Sequence, residues 1–554
     1  MLTFISGVEK RKLKYFIKKI LESLHLKLQV YKILILPSQE IALHHLRKIV
    51  KNFKPLKEKN MGKKIVFNSV DGRYTPHTYL EGGIAKALQI RGHEIKMLVC
   101  GGAFCKMCAA HFTVKKPPNQ WDCNNCIYYS RKFYETTQLP YSTYKEYLED
   151  GKIAEIKNKV NGLSKDECLS FVYKNINVGY HAKTSADRYF VGAPPEKQYY
   201  EYVLRSELTN AMISTDVAEK VLIVEKPDVL VTSHGCYSSW GSFSDYFINK
   251  GIKSCIWFTG YKKDSLIFDL HKIDDYFKKY YIEIRKKMPL NKQEEEELNL
   301  FLNNRIKGVE GDTAFYEFSD QKKDLFRQFN FNIYHKNYAM FPNVAWDASI
   351  ISDINKAFSD IYEWVSFTID FFKKKPILQL IIKIHPAEVR TNKSEKTMLD
   401  YINEKYDSLP DNIKIIPPDT NISAYSLFPY IDAGIMYTGT LCLEMALKNI
   451  PVIMIGKSRY SDKGFVNFVS TKKEYLKLLK QGPPSLSKKY KDLVKVYAYF
   501  YFIKSFVPRR FIYYKNFLNL GWNINSFNDL LPGKDKYLDH LCNYIVYGGI
   551  YQDW

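Results

Sequence analysis

The sequence has no apolar run long enough to cross a membrane. The longest of note, Val496–Ile503, is eight residues, whereas a spanning helix needs about 20. The N-terminus also lacks an apolar segment followed by the small residues that mark a signal-peptide cleavage site. We therefore expect the protein to stay in the cytoplasm. In that compartment its ten cysteines favour metal binding or reduced thiols over disulfides.

Acidic residues are scarce relative to basic ones. The 554 residues include 82 Lys and Arg but only 59 Asp and Glu, which gives a formal net charge of +23. This excess indicates an anionic partner, such as a membrane surface, nucleic acid or phosphorylated substrates, although a lysine-rich genome would produce the same bias. Apolar residues make up 46% of the chain and aromatic residues 15%. This composition supports real cores and argues against disorder over most of the length.

The excess charge is concentrated at the N-terminus. Residues 1–60 hold 14 Lys and Arg against 4 Glu, and we predict that they form a basic amphipathic helical extension. Within Leu13–Leu24 the apolar residues recur at helical spacing, with lysines largely off that stripe. Such a helix would lie in an anionic headgroup layer or pack on the protein's own surface. The aromatic tail segments Tyr497–Ile503 and Phe511–Tyr514 are predicted to add a second contact at the membrane interface.

The rest of the chain alternates strands and helices. Lys64–Asn68 and Glu94–Cys100 are predicted as buried strands joined by a helix, which indicates a parallel sheet. An insertion with cysteines at 100–127 and a Tyr-rich helical stretch to about residue 225 follow before the alternation resumes. We assign residues 61–335 to a first Rossmann-like domain.

A second α/β series follows. Pro376–Ile384 is a nearly continuous apolar strand, as expected when both faces of a parallel sheet are covered. We assign residues 336–490 to a second Rossmann-like domain and 491–554 to an aromatic, basic, helical tail. The predicted fold class is α/β and GT-B-like: two doubly wound domains with a cleft between them, plus helical N- and C-terminal extensions. A chain of this length exceeds what one core usually organises.

The strongest site signal lies in the second domain. His385-Pro386 directly follows a buried strand, and Thr438-Gly439-Thr440 ends another strand and opens a helix that carries Glu444. Open parallel sheets bind ligands at these strand ends. A Gly-Thr turn before a helix offers N–H groups to a phosphate, to which a histidine can also donate, while Glu444 can bind ribose hydroxyls. The alternative for His385 by itself is a capped structural histidine.

The first domain offers candidates for acid–base chemistry. Asp71 follows the first strand, and His77 and Glu81 lie four apart on the next helix. A carboxylate or imidazole there could deprotonate an acceptor hydroxyl, whereas helix capping and ordinary surface polarity are the alternative. Ser233-His234-Gly235, at another strand end, is a second acceptor-side candidate. Gly82-Gly83 does not form a GxGxxG, so the dinucleotide fingerprint is absent.

Four cysteines have the spacing of a zinc site. Cys105 and Cys108 form one CxxC pair, and Cys123 and Cys126 form a second after 14 residues. Four thiolates close the tetrahedral shell, so we predict a structural zinc. The alternative is two buried or redox-linked pairs. With no Asp-x-Asp motif visible, no catalytic metal is expected.

Four segments together resemble the capsule polysaccharide biosynthesis glycosyltransferases, a family that includes Kdo transferases. They are Phe341–Asp347, Lys383–Pro386, Tyr437–Glu444 and Ile450–Gly456. Bacterial sialyltransferases share a similar His-Pro and Ser/Thr arrangement. In these enzymes the histidine and hydroxyls contact the phosphate of a CMP-linked donor, and the resemblance implies that role for His385, Thr438 and Thr440. The predicted donor site also includes Lys383, Pro386, Gly439 and Glu444.

The predicted function is transfer of a sugar from a nucleotide-activated donor, with CMP as one candidate nucleotide, to a surface polysaccharide or lipid-linked glycan. The enzyme would work peripherally on the inner face of the plasma membrane. One alternative is a cytidine-linked polyol-phosphate transferase of the teichoic-acid type. Another is a zinc-knuckle nucleic-acid-binding protein, suggested by the charge, cysteines and aromatic residues. The densest basic block lies at the N-terminus and not beside the cysteines, so we expect a membrane and no nucleic acid as partner.

Overall fold

A computed structural model describes most of the chain. The described residues are 36–51, 62–70, 72, 75–104, 108, 120–190, 197–259, 262, 264–270, 289–308, 310, 332, 334–345, 357–390, 396–420, 422–516 and 519–548. The predicted stripe Leu13–Leu24, Asp71 and Cys105 lie outside them. Among the helices that are described, none is both long and apolar enough to span a bilayer.

Fifteen strands are described. In chain order they are β1 Lys64–Asn68, β2 Glu94–Val99, β3 Tyr141–Thr143, β4 Val229–Ser233, β5 Lys253–Thr259, β6 Ser265–Leu270, β7 Lys336–Phe341, β8 Leu378–Lys383, β9 Ile413–Ile416, β10 Ala433–Met436, β11 Val452–Met454, β12 Asn467–Phe468, β13 Val507–Pro508, β14 Ile512–Asn516 and β15 Asn519–Trp522.

Sixteen α-helices are described with them. In chain order they are α1 Leu36–Lys51, α2 Thr75–Ile90, α3 Gln120–Thr137, α4 Lys152–Asn161, α5 Lys165–Ser170, α6 Val178–Phe190, α7 Lys197–Glu225, α8 Gly241–Asn249, α9 Lys292–Ile306, α10 Ile361–Lys373, α11 Ala387–Arg390, α12 Met398–Lys405, α13 Leu441–Leu447, α14 Lys472–Gln481, α15 Lys488–Tyr499 and α16 Lys536–Tyr547. Short 3₁₀ turns cover Tyr144–Tyr147, Ala424–Tyr430 and Phe527–Leu530, and a π-turn covers Phe500–Lys504.

The first sheet has the order β13-β6-β5-β4-β1-β2-β3. Strands β1 to β5 are parallel to one another, β6 pairs antiparallel with β5, and β13 pairs antiparallel with β6. The chain winds outward in opposite directions from β1 and β4, so the order reverses between these two strands. Successive residues of β1 point to opposite faces, and both faces are covered. Val66 packs with the helical insertion α4–α8, while Ile65 and Phe67 pack with the two ends of the chain.

The second sheet has the order β12-β11-β10-β7-β8-β9, and all its described pairings are parallel. Here the order reverses between β7 and β10. Five of the six residues of β8 are buried, as the apolar run in the sequence predicted. Two doubly wound sheets, each with one reversal point, confirm the predicted α/β class.

Both ends of the chain pack onto the first domain. Helix α1 buries Leu43, Leu46 and Ile49 and contacts α3 and β15. At the other end, β13 pairs with β6 and so extends the first sheet.

The prediction that Tyr497–Ile503 forms an aromatic membrane contact is wrong, because the side chains of this segment are buried in the core. Phe511 is likewise 4% exposed, although Tyr513 is 40% exposed. The tail is also not wholly helical, since β14 and β15 form an antiparallel hairpin. A run of aromatic residues has the same pattern in a membrane contact and in a buried helix, so the sequence could not distinguish them.

Candidate active site

Three residues of the candidate site follow neighbouring strands of the second sheet. The sequence predicted two of them, His385 and Thr438, and the structure adds Asn343. His385 lies two residues past β8, Asn343 two residues past β7 and Thr438 two residues past β10. Adjacent strands are about 4.8 Å apart, so the three positions share one edge at the reversal point. The N–H of Thr438 donates to Oδ1 of Asn343 at 3.4 Å. The structure thus brings the His-Pro and Thr-Gly-Thr motifs to one edge and adds Asn343 between them.

The ring of His385 is fixed by a local hydrogen bond. The backbone N–H of Ala387 donates to His385 Nδ1 at 3.1 Å. Since Nδ1 is an acceptor, the proton of the neutral imidazole is on Nε2. The half-buried ring therefore carries one N–H donor, suited to an anionic oxygen.

The turn Thr438-Gly439-Thr440 has a conformation that requires glycine. Gly439 has a φ of +122°, and its carbonyl accepts a hydrogen bond from the Tyr460 hydroxyl. Helix α13, which follows, has only seven residues. A helix of two turns contributes a small dipole, so the positive charge at this turn must come largely from elsewhere.

That charge is supplied by Arg305, which lies on α9 before the second domain. Its Nη2 lies 3.2 Å from Thr440 Oγ1 and 3.1 Å from Glu444 Oε1. The Arg305 and Glu444 side chains are 8% and 3% exposed. The rings of Phe301 and Phe502 flank the guanidinium, with centroids 5.9 and 5.6 Å away. Sequence reasoning missed Arg305, because it occupies a charged helix that carries no recognisable motif.

Two further charged residues near His385, Lys383 and Glu388, form hydrogen bonds with backbone groups of neighbouring segments. Lys383 is 5% exposed, and its Nζ donates to the carbonyls of Ile384 at 3.1 Å and Pro417 at 3.3 Å. These bonds tie the end of β8 to the loop after β9. Glu388 accepts the backbone N–H of Met398 at 2.9 Å, and burial raises the pKa of Glu388 to about 7.

The matching edge of the first sheet carries two imidazoles among indole rings. His77 lies on α2 and His234 directly after β4, with ring centroids 5.6 Å apart and nearly stacked. Trp240 lies against both rings, and Trp257 is 4.8 Å from His77. Burial lowers the pKa of His77 well below its usual value, with a further contribution from His234. Burial likewise lowers the pKa of His234 to about 4, so both rings are neutral at pH 7.

Glu81 lies beneath this pair, not in the open part of the site. It is 1% exposed, and Trp257 Nε1–H donates to its Oε1 at 2.8 Å. This bond fixes the indole that packs against His77. Gly72, next to Asp71, lies so close to α3 that a Cβ there would be 1.5 Å from Ser130 Oγ. Gly72 is therefore held against the helix that carries Cys123 and Cys126.

Side chains from the two sheet edges approach each other. The guanidinium of Arg459, in the loop after β11, lies 5.9 Å from the centroid of Phe258 at the end of β5. Burial raises the pKa of Tyr362 on α10, and nearby carboxylates, including Asp187 of α6, raise it further. The loop after β11 in the second domain therefore lies against the end of β5 in the first. This is a GT-B-like architecture.

The cysteine quartet is only partly described. Cys123 and Cys126 lie one turn apart at the start of α3, and both are half-buried, as is Cys108. Burial raises the pKa of Cys100, with a smaller contribution from Cys123, which shows that Cys123 lies near the end of β2. Within the described ranges, which omit Cys105, no three potential ligands form a metal-binding group. The i, i+3 placement of two thiols fits one half of a zinc site, and zinc stays a prediction.

Comparisons with known proteins find structural similarity but no match to a family model or to a curated protein. KpsC of Thermosulfurimonas dismutans, a beta Kdo 2,4 transferase, is 12% identical, with 55% of this chain and 88% of that chain covered and a TM-score of 0.34. The UDP-GlcNAc 2-epimerase of Methanocaldococcus jannaschii is 13% identical, with 79% and 100% covered and a TM-score of 0.27. The glycosyltransferase SnogD of Streptomyces nogalater is 9% identical, with 79% and 94% covered and a TM-score of 0.22. A beta Kdo 2,4 transferase is thus among the solved structures that this chain resembles. At these values no residue role is transferred from them.

Proposed function

We propose that this protein is a glycosyltransferase that moves a sugar from a nucleotide donor on the second domain to an acceptor on the first. The observation that carries this proposal is the position of His385, Asn343 and Thr438–Thr440 at one reversal point. The His77–His234 pair lies at the reversal point of the first sheet, and we propose that the two sites face each other across the cleft between the domains. Reversal points are where open parallel sheets bind ligands.

On the donor side, the proposed task is to hold phosphate and stabilise its growing charge. As the bond between the sugar and the phosphate breaks, negative charge develops on the leaving oxygen. The Nε2–H of His385 and the N–H and hydroxyl groups of Thr438 and Thr440 are suited to donate to these oxygens. Arg305 holds Thr440 in place and adds positive charge at the turn.

On the acceptor side, the proposed task is to remove a proton from the attacking hydroxyl. His77 and His234 are neutral at pH 7, which a general base must be. The buried indoles of Trp240 and Trp257 pack against these imidazoles and hold them in place. We assign Glu81 to positioning Trp257, because its carboxylate is buried and bonded to that indole. Asp71, outside the described residues, stays a candidate base.

The decisive test is His385→Ala together with a donor screen by mass spectrometry. We expect the variant to fold normally and to lose about 100-fold or more in transfer rate, as removal of one such donor typically does. His335→Ala is the matched control, because His335 precedes β7 at the opposite end of the sheet. A folded His385→Ala variant with near-normal turnover would contradict the donor site. Transfer of a polyol phosphate in the screen would favour the teichoic-acid-type alternative.

A structural zinc on Cys105, Cys108, Cys123 and Cys126 is part of the proposal. Bound zinc would supply folding energy and no chemistry, because four thiolates leave no open position. We expect about one zinc per chain by elemental analysis of protein purified without added metal. Cys105→Ser should lose the zinc and lower the unfolding temperature, whereas Cys542→Ser on α16 should keep the zinc. A stable, active, metal-free preparation would refute this site.

Membrane docking is the last part of the proposal. The acceptor is proposed to be a lipid-linked glycan on an anionic membrane, reached through the basic residues at the N-terminus. Each lysine near such a surface contributes about 1 kcal/mol. Deletion of residues 1–35 tests this and leaves in place α1, whose apolar side chains are buried. The truncated protein should bind anionic liposomes more weakly while still using a small soluble acceptor. Equal binding at every salt concentration would remove the membrane role.

A further inference from the structure

Helix α6 carries a stripe of polar side chains at helical spacing, His181, Ser185 and Arg188. The first two of these contact the loop that follows β4. His181 Nε2 pairs with Asp245 at 2.9 Å, and its Nδ1 lies 3.2 Å from the Cys236 carbonyl. One turn later, Ser185 Oγ accepts the backbone N–H of Ser238 at 2.9 Å. These buried side chains are therefore satisfied by the loop, as buried polar groups normally are.

Arg188, one turn further along the same stripe, is the exception. Its Nη1 is buried and has no hydrogen-bond partner among the residues that the structure describes. The adjacent carboxylate, Asp187, bonds to Tyr200 and Lys183. A guanidinium with an unsatisfied buried donor is costly. Such groups are uncommon in native structures, and a bound ion or ligand that supplies the missing partner is one explanation for them.

The surroundings of Arg188 place it near the carboxyl end of β4. The other residues of its stripe, His181 and Ser185, bond to Cys236 and Ser238 in the loop after that strand. The low pKa of His234 results from burial and, secondarily, from the charge of Arg188, so the two side chains are near each other. Arg188 therefore lies beside the imidazole pair.

We propose that Arg188 binds an anionic group of the acceptor, a carboxylate or a phosphate, and so orients the acceptor hydroxyl toward His77 and His234. This inference rests on the proposed glycosyltransferase function and deepens it by assigning the acceptor a negative charge. Guanidinium presents a planar fork of donors that matches both anions. The neighbouring imidazoles are neutral and so do not compete for the anion.

The test measures binding without any donor, so its outcome does not depend on transfer. The probes are methyl glucuronoside, glucose 1-phosphate and neutral methyl glucoside, each titrated into the full-length protein by calorimetry. One charge-assisted contact corresponds to about a 10- to 100-fold difference in Kd. We expect at least one anionic probe to bind more tightly than methyl glucoside by this factor. The preferred anion then distinguishes a carboxylate-bearing from a phosphate-bearing acceptor.

Three variants connect that preference to Arg188. Arg188→Met should abolish it, Arg188→Lys should keep part of it, and Lys183→Met should leave it unchanged. Lys183 is the matched control because it is a cation on the same helix but 46% exposed. Arg188→Met should fold normally, as checked by thermal unfolding, since no described partner is lost. Equal binding of charged and neutral probes by the wild type, or an anion preference retained in Arg188→Met, would overturn the proposal. If transfer fails but the preference holds, the proposed function is at fault and this site stands.

Discussion

The two sheets have the same kind of topology, but their carboxyl edges carry side chains of different chemical types. The edge of the second sheet combines hydroxyl and amide groups with a buried ion pair between Arg305 and Glu444. The edge of the first sheet has two neutral imidazoles among indole rings, and its guanidinium, Arg188, has no described partner. The comparison shows that two sheets of the same topology can present different side chains at their carboxyl edges, because the strand-end residues differ while the sheets do not.

The two arginines also differ in what their removal leaves behind. Loss of Arg305 would leave Glu444 as a buried carboxylate without its counter-ion, whereas loss of Arg188 removes a charge that has no described partner. Stability measurements can therefore separate a structural arginine from one kept for a ligand.

The largest expected effect is that of Arg305→Met. Removing one partner of a buried ion pair typically costs about 3–5 kcal/mol, and we expect that loss in the free energy of unfolding, measured with urea. The double variant Arg305→Met, Glu444→Met should recover much of the loss, because it leaves no unpaired charge. Arg188→Met is the comparison, with an expected change below about 1 kcal/mol. If Arg305→Met is as stable as Arg188→Met, the contrast between the two edges is lost.

The second prediction concerns the folding stability of the protein at acidic pH. The pKa of His234 is lowered from 6.5 to about 4 by burial, so the unfolded state binds the proton more tightly. Stability is therefore complete above pH 6.5 and falls as the pH decreases toward 4, by up to about 3 kcal/mol from this group. His234→Asn should flatten that slope, and asparagine tolerates the φ of +52°. Urea unfolding at a series of pH values provides the measurement, and an unchanged slope would count against a buried neutral His234.

The third prediction concerns Glu388, at the carboxyl edge of the second sheet. Its contribution to stability changes with pH in the opposite direction to that of His234. Burial raises the pKa of Glu388 from 4.5 to about 7, so the native state binds this proton more tightly than the unfolded state. Its contribution is therefore favourable below pH 4.5 and is lost as the pH rises through 7, by up to about 3 kcal/mol. Glu388→Gln should be more stable than the wild type at pH 8 and gain little at pH 4.5. A constant difference across that range would contradict the raised pKa.

The smallest expected effect is on the exposed face of α9, the helix that carries Arg305. Lys495 pairs with Glu295 at 3.1 Å, and the two side chains are 47% and 43% exposed. Exposed pairs contribute about 0–1 kcal/mol, so Lys495→Met should change the urea midpoint only slightly. A loss as large as that for Arg305→Met would show that burial does not explain the difference between the two pairs.

Much of the donor edge was predictable from the sequence. The apolar run Pro376–Ile384 predicted a buried strand, and parallel sheets gather strand ends at one edge, so His385 and the Thr438–Thr440 turn were expected together. The same reasoning placed His77 and His234 on the acceptor side. Asn343 belonged to a recognised segment, but its contact with Thr438 depends on β7 lying between β8 and β10.

The sequence by itself therefore determined the strands, the two-domain α/β plan and the motifs at the strand ends, because these depend on periodicity and spacing over short stretches. Only the tertiary structure decided which charges are paired. Arg305 and Thr440 are 135 residues apart, and no local pattern encodes such a contact. Tertiary packing also buried the aromatic tail against the first domain and left Arg188 without a described partner. Burial and pairing depend on which surfaces meet, and that is settled when the domains pack.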